Sequence, residues 1–315
     1  MQIIHDALGS ADLPYGVVAT IGNYDGIHRG QQSVLKRVIE RARALGQQAV
    51  AITFEPHPVS VLRPDKAPVR LTTAEQRQEV LAELGLDALL VVRFNQEVAR
   101  TEPEDFVRDF LHERLNLQEI YIGSAFNFGK DRRGNVELLQ RLGKEYGFEA
   151  EGLDETLHLG EPISATRIRR AVAEGKTLLA RELLGRPYAL RGTIGRGDRM
   201  GQRLGWPTIN LIPENELLPQ NGVYTGRAHF PNMPATFECS INVGTRPTVY
   251  ETYQRVVESH ILDFSADVYG EAVEIRFHKR LREEKMFPSV MELAAQIGRD
   301  VEATREYFAA RRHDP

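Results

Sequence analysis

The stretch "IGNYDGIHRGQQ", residues 21–32, packs Gly22, Gly26 and Gly30 around Asp25, His28 and Gln31 where an apolar strand gives way to a helix. Glycines let the backbone approach a ligand closely, and the helix start presents unpaired N–H groups with a partial positive charge. A phosphate chain is the natural guest. His28 can donate hydrogen bonds to phosphate oxygens and stabilise the charge that builds up during transfer. Neither the dinucleotide-binding G-x-G-x-x-G nor the Walker G-x-x-x-x-G-K-[ST] occurs in this turn, so a generic ATPase is a poor match. The plain alternative is a glycine-rich connection carrying an exposed histidine.

A second constellation lies in "GRGDRMGQRLGWPTINL", starting at residue 195. Gly195, Gly197, Gly201 and Gly205 suit a flap over a nucleotide, with Arg196, Arg199 and Arg203 beside its charge. On a strand, Thr208 and Asn210 share a face, which lets two neutral oxygens converge on Mg²⁺ or a phosphate. By residue type alone the pair reads more readily as surface strand positions.

The elements that must position these residues fall into two halves. Early on, "VVATI" at 17, "AVAITF" at 49, "ALLVVRF" at 88 and "EIYIG" at 119 alternate with helical patterns, as in βαβ units around a parallel sheet. Val34, Leu35, Val38, Ile39, Ala42 and Leu45 recur at helical spacing before Gly46. Thr73 and Gln76 form a capping-box pattern, and Pro103 opens a further helix. The stretch from Ser164 to Gly185 is helical and closes this half. After residue 186 come short β-rich pieces, "RGTIG", "GVYTGRAHF", "TFECSINVG", "RVVESHILDF" and "AVEIRFHKRL", that predict a compact antiparallel barrel. A long helix runs from Ser289 to about Arg312. The fold class is α/β plus β, with domains at 1–185 and 186–315.

Length and composition agree. A chain of 315 residues has room for two cored domains. Forty basic against 44 acidic side chains give a net charge of -4, so no global field draws in nucleic acid or an acidic membrane. A single cysteine, Cys239, excludes an internal disulfide and argues against a cysteine zinc site. No apolar run approaches the roughly 18 residues of a membrane span, and the chain is read as a soluble cytoplasmic protein.

"GNYDGIHRGQ" resembles the G-x-F-D-G-x-H-x-G-H signature of prokaryotic FAD synthetases, two-domain proteins joining an FMN adenylyltransferase to a riboflavin kinase. "TFEPHP" at 53, "IGSAFNFGKDRRGN" at 122 and "ISATRIRRAVAEG" at 163 follow in the family's order. Gln31 stands for the signature's second histidine, Ala125 for a polar residue, and Ala165 for the second serine of I-S-S-T-x-I-R. Gln31 can still donate to a phosphate but carries no charge and exchanges no proton. The resemblance implies that Ser164, Thr166 and Arg169 bind triphosphate, and that His57, Phe54 and Phe128 lie beside the flavin. Each of these three has a bland reading as a loop or core residue, and "KDRRG" at 130 as a solvated charge run.

The resemblance continues through the second half: "PTIN" matches the P-T-x-N of riboflavin kinases, and "NGVYTG", "NVGTRPT", "VESHILDF" and "LREEKMF" follow in order. Glu258 aligns with the family's catalytic glutamate, which takes the proton of the ribityl 5′-hydroxyl as that oxygen attacks ATP. The implied small-molecule partners are riboflavin, FMN, FAD, ATP, ADP and pyrophosphate, with Mg²⁺ as the metal on Thr208 and Asn210. The runner-up reading is a riboflavin kinase alone, its first domain weakened by Gln31, Ala125 and Ala165. A flavin-binding module without catalysis has no need of Thr208, Asn210 and Glu258 together. Aminoacyl-tRNA synthetase chemistry lacks its K-M-S-K-S stretch here.

Overall fold

The computed structural model describes residues 1–196, 201, 204–247 and 253–311. They form two compact units, Met1–Ala165 and the chain from Thr166 onward.

The first unit is built on six parallel strands: β1 (Gln2–His5), β2 (Val17–Ile21), β3 (Gln48–Glu55), β4 (Ala88–Arg93), β5 (Leu117–Gly123) and β6 (Glu149–Leu153). Their order is β1-β4-β3-β2-β5-β6, so the winding direction reverses between β2 and β5. Ligands of open α/β sheets bind at such a reversal, outside the strands' carboxyl ends. The glycine-rich turn after β2 is there. Alternate residues of β2 feed two separate cores, Val17, Ala19 and Ile21 on one face and Val18 on the other. Burial on both faces explains why these strands read as continuous apolar runs.

Helix α1 (Arg29–Leu45) buries Leu35, Val38 and Ala42 against one face and stops at Gly46, whose left-handed backbone (φ 66°) suits glycine. After α2 (Pro58–Leu62), α3 (Ala74–Glu83) carries the expected Thr73–Gln76 capping box. Pro103 opens α4 (Pro103–Asp105), which widens into a π-helical stretch over Phe106–His112. Helix α5 (Val136–Tyr146) and the short hairpin β7 (Leu157–His158) with β8 (Glu161–Pro162) complete the unit. The stretch expected to close the first half is divided: Ser164 belongs to the first unit, while α6 (Ala165–Ala173) runs into the second and is followed by α7 (Thr177–Leu184).

The second unit is a closed antiparallel barrel ordered β10-β13-β12-β11-β14-β9. Its strands are β9 (Tyr188–Gly195), β10 (Ile209–Pro213), β11 (Gly222–His229), β12 (Thr236–Pro247), β13 (Tyr253–Ile261) and β14 (Ala272–Arg282). Closure leaves no open sheet edge. Helix α8 (Val290–Ala309) starts at Ser289, whose hydroxyl accepts from the Glu292 N–H, and buries Val301, Thr304, Tyr307 and Phe308. A bidentate pair fastens it to β14: Arg282 donates through Nε at 3.0 Å and through its terminal nitrogen at 2.7 Å to the Asp300 carboxylate.

His278 of β14 packs edge-on against Tyr307 and Phe308, with Arg181, Arg227, Arg276 and Arg311 around it. Burial, then those four cations, push its imidazole down to about 4. The unfolded chain titrates near 6.5, so between these values only the unfolded state gains the proton. This contribution is fully present above pH 6.5 and is lost as pH falls through about 4. We expect on the order of 2 kcal/mol of acid destabilisation from this residue alone. Thermal unfolding at pH 7.5 and 4.5 should show a larger drop for the parent chain than for His278→Gln; equal drops would contradict this assignment.

Candidate active sites

The turn after β2 is held by its own side chains. His28 is the N-cap of α1: its Nδ1 accepts from the Gln31 N–H at 3.3 Å, and the Gln31 Oε1 accepts from the His28 N–H at 3.1 Å. This reciprocal pair is a capping box with imidazole in the place of a hydroxyl. An accepting Nδ1 places the ring proton on Nε2, the nitrogen that can donate to a phosphate. Gly30 leaves room beside it, since a Cβ there would lie 3.2 Å from the His28 Nδ1. Gly26, at φ 83°, supplies left-handed backbone, and Tyr24 and Ile27 take the same conformation at φ 46° and 43°. Such conformations persist only where the surroundings enforce them. Here Tyr24 is buried with its hydroxyl on Thr20, and one Asp25 oxygen accepts from the Leu71 and Thr72 N–H groups. Asp25 thus anchors the turn to the segment before α3. Gly22 is closed in by the Tyr24 ring, 3.1 Å from where its Cβ would be.

The other expected residues of this unit divide. His57 repeats the local logic of His28: it caps α2, its Nδ1 accepting from the Val59 N–H at 3.2 Å. Phe54 is half-buried at the end of β3 and meets Phe94 edge-on. Phe128, the other ring expected beside the flavin, packs inward. It is only 5% exposed, belongs to the core with Phe106, and Gly134 is packed directly on its ring. In the basic run, Lys130 and Arg133 both pair with Glu102, at 2.5 and 3.1 Å. Ser164 is half-buried at the end of the unit; Thr166, exposed, and Arg169, half-buried, lie on α6 in the second.

In the barrel, register does what spacing along the chain could not. Asn210 of β10 pairs with Gly195 of β9 on one side and Glu258 of β13 on the other, and Glu258 pairs in turn with Asn242 of β12. The flanking Leu211, Val257, Ser259, Ile241 and Val243 are buried in the interior. Alternation therefore puts Asn210, Glu258 and Asn242 together on the outer face, each half-buried. Thr208 precedes the strand rather than lying on it, so strand alternation does not relate it to Asn210. A turn comes just before it: the Leu204 and Trp206 N–H groups both donate to the Gly201 carbonyl, with Gly205 left-handed at φ 81°. Gly201 leaves space over Thr208, whose Oγ1 would lie 3.1 Å from a Cβ there. His260 joins this support, its Nδ1 2.8 Å from the Pro207 carbonyl and its ring edge-on to Trp206. Gly197, Arg199 and Arg203 lie outside the described residues.

Residues 11–167 match the family model described as FAD synthetase, and residues 184–308 the one described as riboflavin kinase. The bifunctional riboflavin kinase/FMN adenylyltransferase of Escherichia coli is 37% identical over 299 residues, 93% of each chain. This chain belongs to the bifunctional riboflavin kinase/FMN adenylyltransferase family. The Pseudomonas fluorescens member is 37% identical over 95% of each chain, and that of Haemophilus influenzae 32% identical over 98% of this chain and 99% of that one. A crystal structure described as a macrolide-efflux protein from Streptococcus pneumoniae shares the fold: TM-score 0.87, 27% identity, covering 97% of this chain and 99% of that chain. Among the described residues, no helix is long and apolar enough to cross a membrane.

Both family domains are present, which supports the bifunctional reading over a kinase alone. Within this family of riboflavin kinase/FMN adenylyltransferases, Gln31 gains a physical explanation. Its Oε1 is engaged in the cap that orients His28. Replacing Gln31 with histidine adds an imidazole but removes that acceptor. We therefore expect Gln31→His to give no increase in FAD formation from FMN and to lower stability by about 1 kcal/mol. A several-fold gain in rate would show instead that the missing imidazole limits the reaction. Asn242 is the position that the sequence reading left without a role; its motif was legible, but its place opposite Glu258 depends on strand register.

Proposed function

We propose that the two activities of the family occupy separate sites in this chain: riboflavin is phosphorylated on the outer face of the barrel, and FMN is adenylylated at the turn after β2. The observation that carries the first assignment is the register of Asn210 against Glu258, a hard neutral oxygen beside a carboxylate on one half-buried face. Glu258 accepts the proton of the ribityl 5′-hydroxyl. That oxygen bonds to the γ-phosphorus of ATP while the bond to the β–γ bridging oxygen breaks, releasing ADP and FMN.

The donor set suits Mg²⁺. Thr208 and Asn210 offer neutral oxygens, and no cluster of three or more His, Cys, Asp or Glu suited to hold a metal occurs among the described residues. A divalent cation with such a sparse protein shell needs phosphate oxygens to complete its coordination, which fits entry with ATP. Thr208 and Asn210 would hold it, and when bound it neutralises charge on the transferring phosphates.

At the first site no protein nucleophile is needed. An FMN phosphate oxygen bonds to the α-phosphorus of ATP, the α–β bridge breaks, and pyrophosphate leaves with FAD as the other product. His28 donates from Nε2 to the phosphate oxygens, with the α1 N-terminus adding its partial charge. Ser164 is assigned to the triphosphate and His57 to the flavin side. The proposal is tested by assaying each half-reaction separately in variants of each site. FMN formation should follow Glu258 alone and FAD formation His28 alone; a variant of one site that abolished both would contradict the separation.

A further inference from the structure

The β10–β13 ladder pairs Leu211 with Val257, Asn210 with Glu258 and Ile209 with Ser259, and there it ends. One further step would set Thr208 against His260. The ladder does not reach that far, and a side chain takes over instead: the His260 Nδ1 lies 2.8 Å from the Pro207 carbonyl oxygen. A carbonyl only accepts, so Nδ1 carries the ring proton and donates it. His28 and His57 are in the opposite state, their Nδ1 atoms accepting from backbone N–H groups.

The Pro207 carbonyl belongs to the peptide unit that joins Pro207 to Thr208. That unit is planar, so holding its oxygen sets the plane from which Thr208 departs. The proline ring limits the chain on the other side, with φ locked near about -65°. Trp206, one residue earlier, is packed from two directions. Its ring meets His260 edge-on with centroids 5.3 Å apart, and a Cβ on Gly298 of α8 would lie 3.4 Å from its Cζ2. His260 therefore makes two separate contacts, a ring edge on Trp206 and an N–H on Pro207. Packing against Trp206 alone calls for no polar atom.

We propose that His260 is a positioning residue for phosphoryl transfer: its Nδ1–H holds the Pro207–Thr208 peptide so that the Thr208 hydroxyl is set for the cation that enters with ATP. This rests on the assignment of Thr208 and Asn210 to Mg²⁺. His260 acts through Thr208 and is given no contact of its own with substrate.

The test separates the two contacts. Asparagine carries its amide N–H groups where histidine carries Nδ1, whereas the longer glutamine carries them nearer the place of Nε2. His260→Asn keeps the donor to Pro207; His260→Gln and His260→Ala lose it. In the full chain, these last two should raise the KM for ATP in FMN formation about tenfold, the worth of one well-placed hydrogen bond. His260→Asn should stay close to the parent, and the KM for riboflavin should not change in any of the three. A second readout needs no turnover. Trp206 is the chain's one tryptophan, so quenching of its emission by acrylamide in the ligand-free protein reports how firmly this segment is held. Quenching should rise in His260→Ala and His260→Gln and stay near the parent in His260→Asn.

If the three variants behaved alike, whether all like the parent or all impaired, the bond to Pro207 would not matter and the inference would be overturned. Equal losses toward ATP and riboflavin would mark a merely structural role and overturn it too. Thr208→Ala is assayed in parallel. If it kept the parent's KM for ATP, the metal assignment would fall and this inference with it; if it raised that KM while the His260 variants did not, this inference alone would fall.

Discussion

Glu258→Gln should lower FMN formation by about a hundredfold to ten-thousandfold, the usual contribution of a positioned general base. The substitution keeps the side chain's size and its hydrogen-bonding capacity, and removes only the ability to take up the proton. Glu258 lies on the barrel's outer face rather than in its interior, so the change leaves the packed core intact. FAD formation from supplied FMN should persist, because the turn proposed for adenylylation is in the other unit. Two rates therefore come from one preparation. Near-wild-type FMN formation would remove Glu258 from the chemistry, and loss of both rates would indicate damage beyond the site.

His28 calls for a more careful substitution, because it does two things at once. Its Nδ1 caps α1, while its Nε2 is the nitrogen assigned to donate to phosphate. His28→Ala removes both functions, with about 1 kcal/mol of stability going with the cap. His28→Asn separates them: asparagine is among the best N-caps, but it cannot place a ring N–H on the phosphate. We expect His28→Asn to melt close to the parent and yet to form FAD about a hundredfold to a thousandfold more slowly. FMN formation should be unaffected. If His28→Asn retained the parent rate, the imidazole would be a cap and nothing more.

The strands that fold with both faces buried were legible, because β2, β3, β4 and β5 read as β-rich, mainly apolar runs. The edge strands were not. β1 has only four residues, and β6, "EAEGL", has no fully buried position and hence no apolar signal. The glycine-rich turn was legible because only a few residue types tolerate its backbone, and the structure places it where the sheet reverses its winding. What the sequence could not disclose was partnership. That Gln31 caps against His28 rests on side-chain geometry, although S/T-x-x-E/Q logic extended to histidine would have suggested it. The type of Phe128 does not by itself distinguish core from site; the structure shows Gly134 packed on its face.

Register was the larger gap. Asn210, Glu258 and Asn242 are separated by up to 48 positions in the chain and become neighbours only through β10–β13–β12 pairing. Thr208 is read from spacing as sharing a strand face with Asn210, whereas β10 begins one residue later, at Ile209.

The central claim is that one chain makes FMN in its barrel and converts FMN to FAD in its α/β unit. It is tested most directly by incubating the protein with riboflavin, ATP and Mg²⁺ and separating the flavins by chromatography over time, beside a reaction started from FMN. The predicted result is FMN rising first and FAD after it in one reaction, and FAD without delay in the other. FMN accumulating with no FAD in either would mean that the turn after β2 keeps the shape of a phosphate cradle without its chemistry, and the claim would fail.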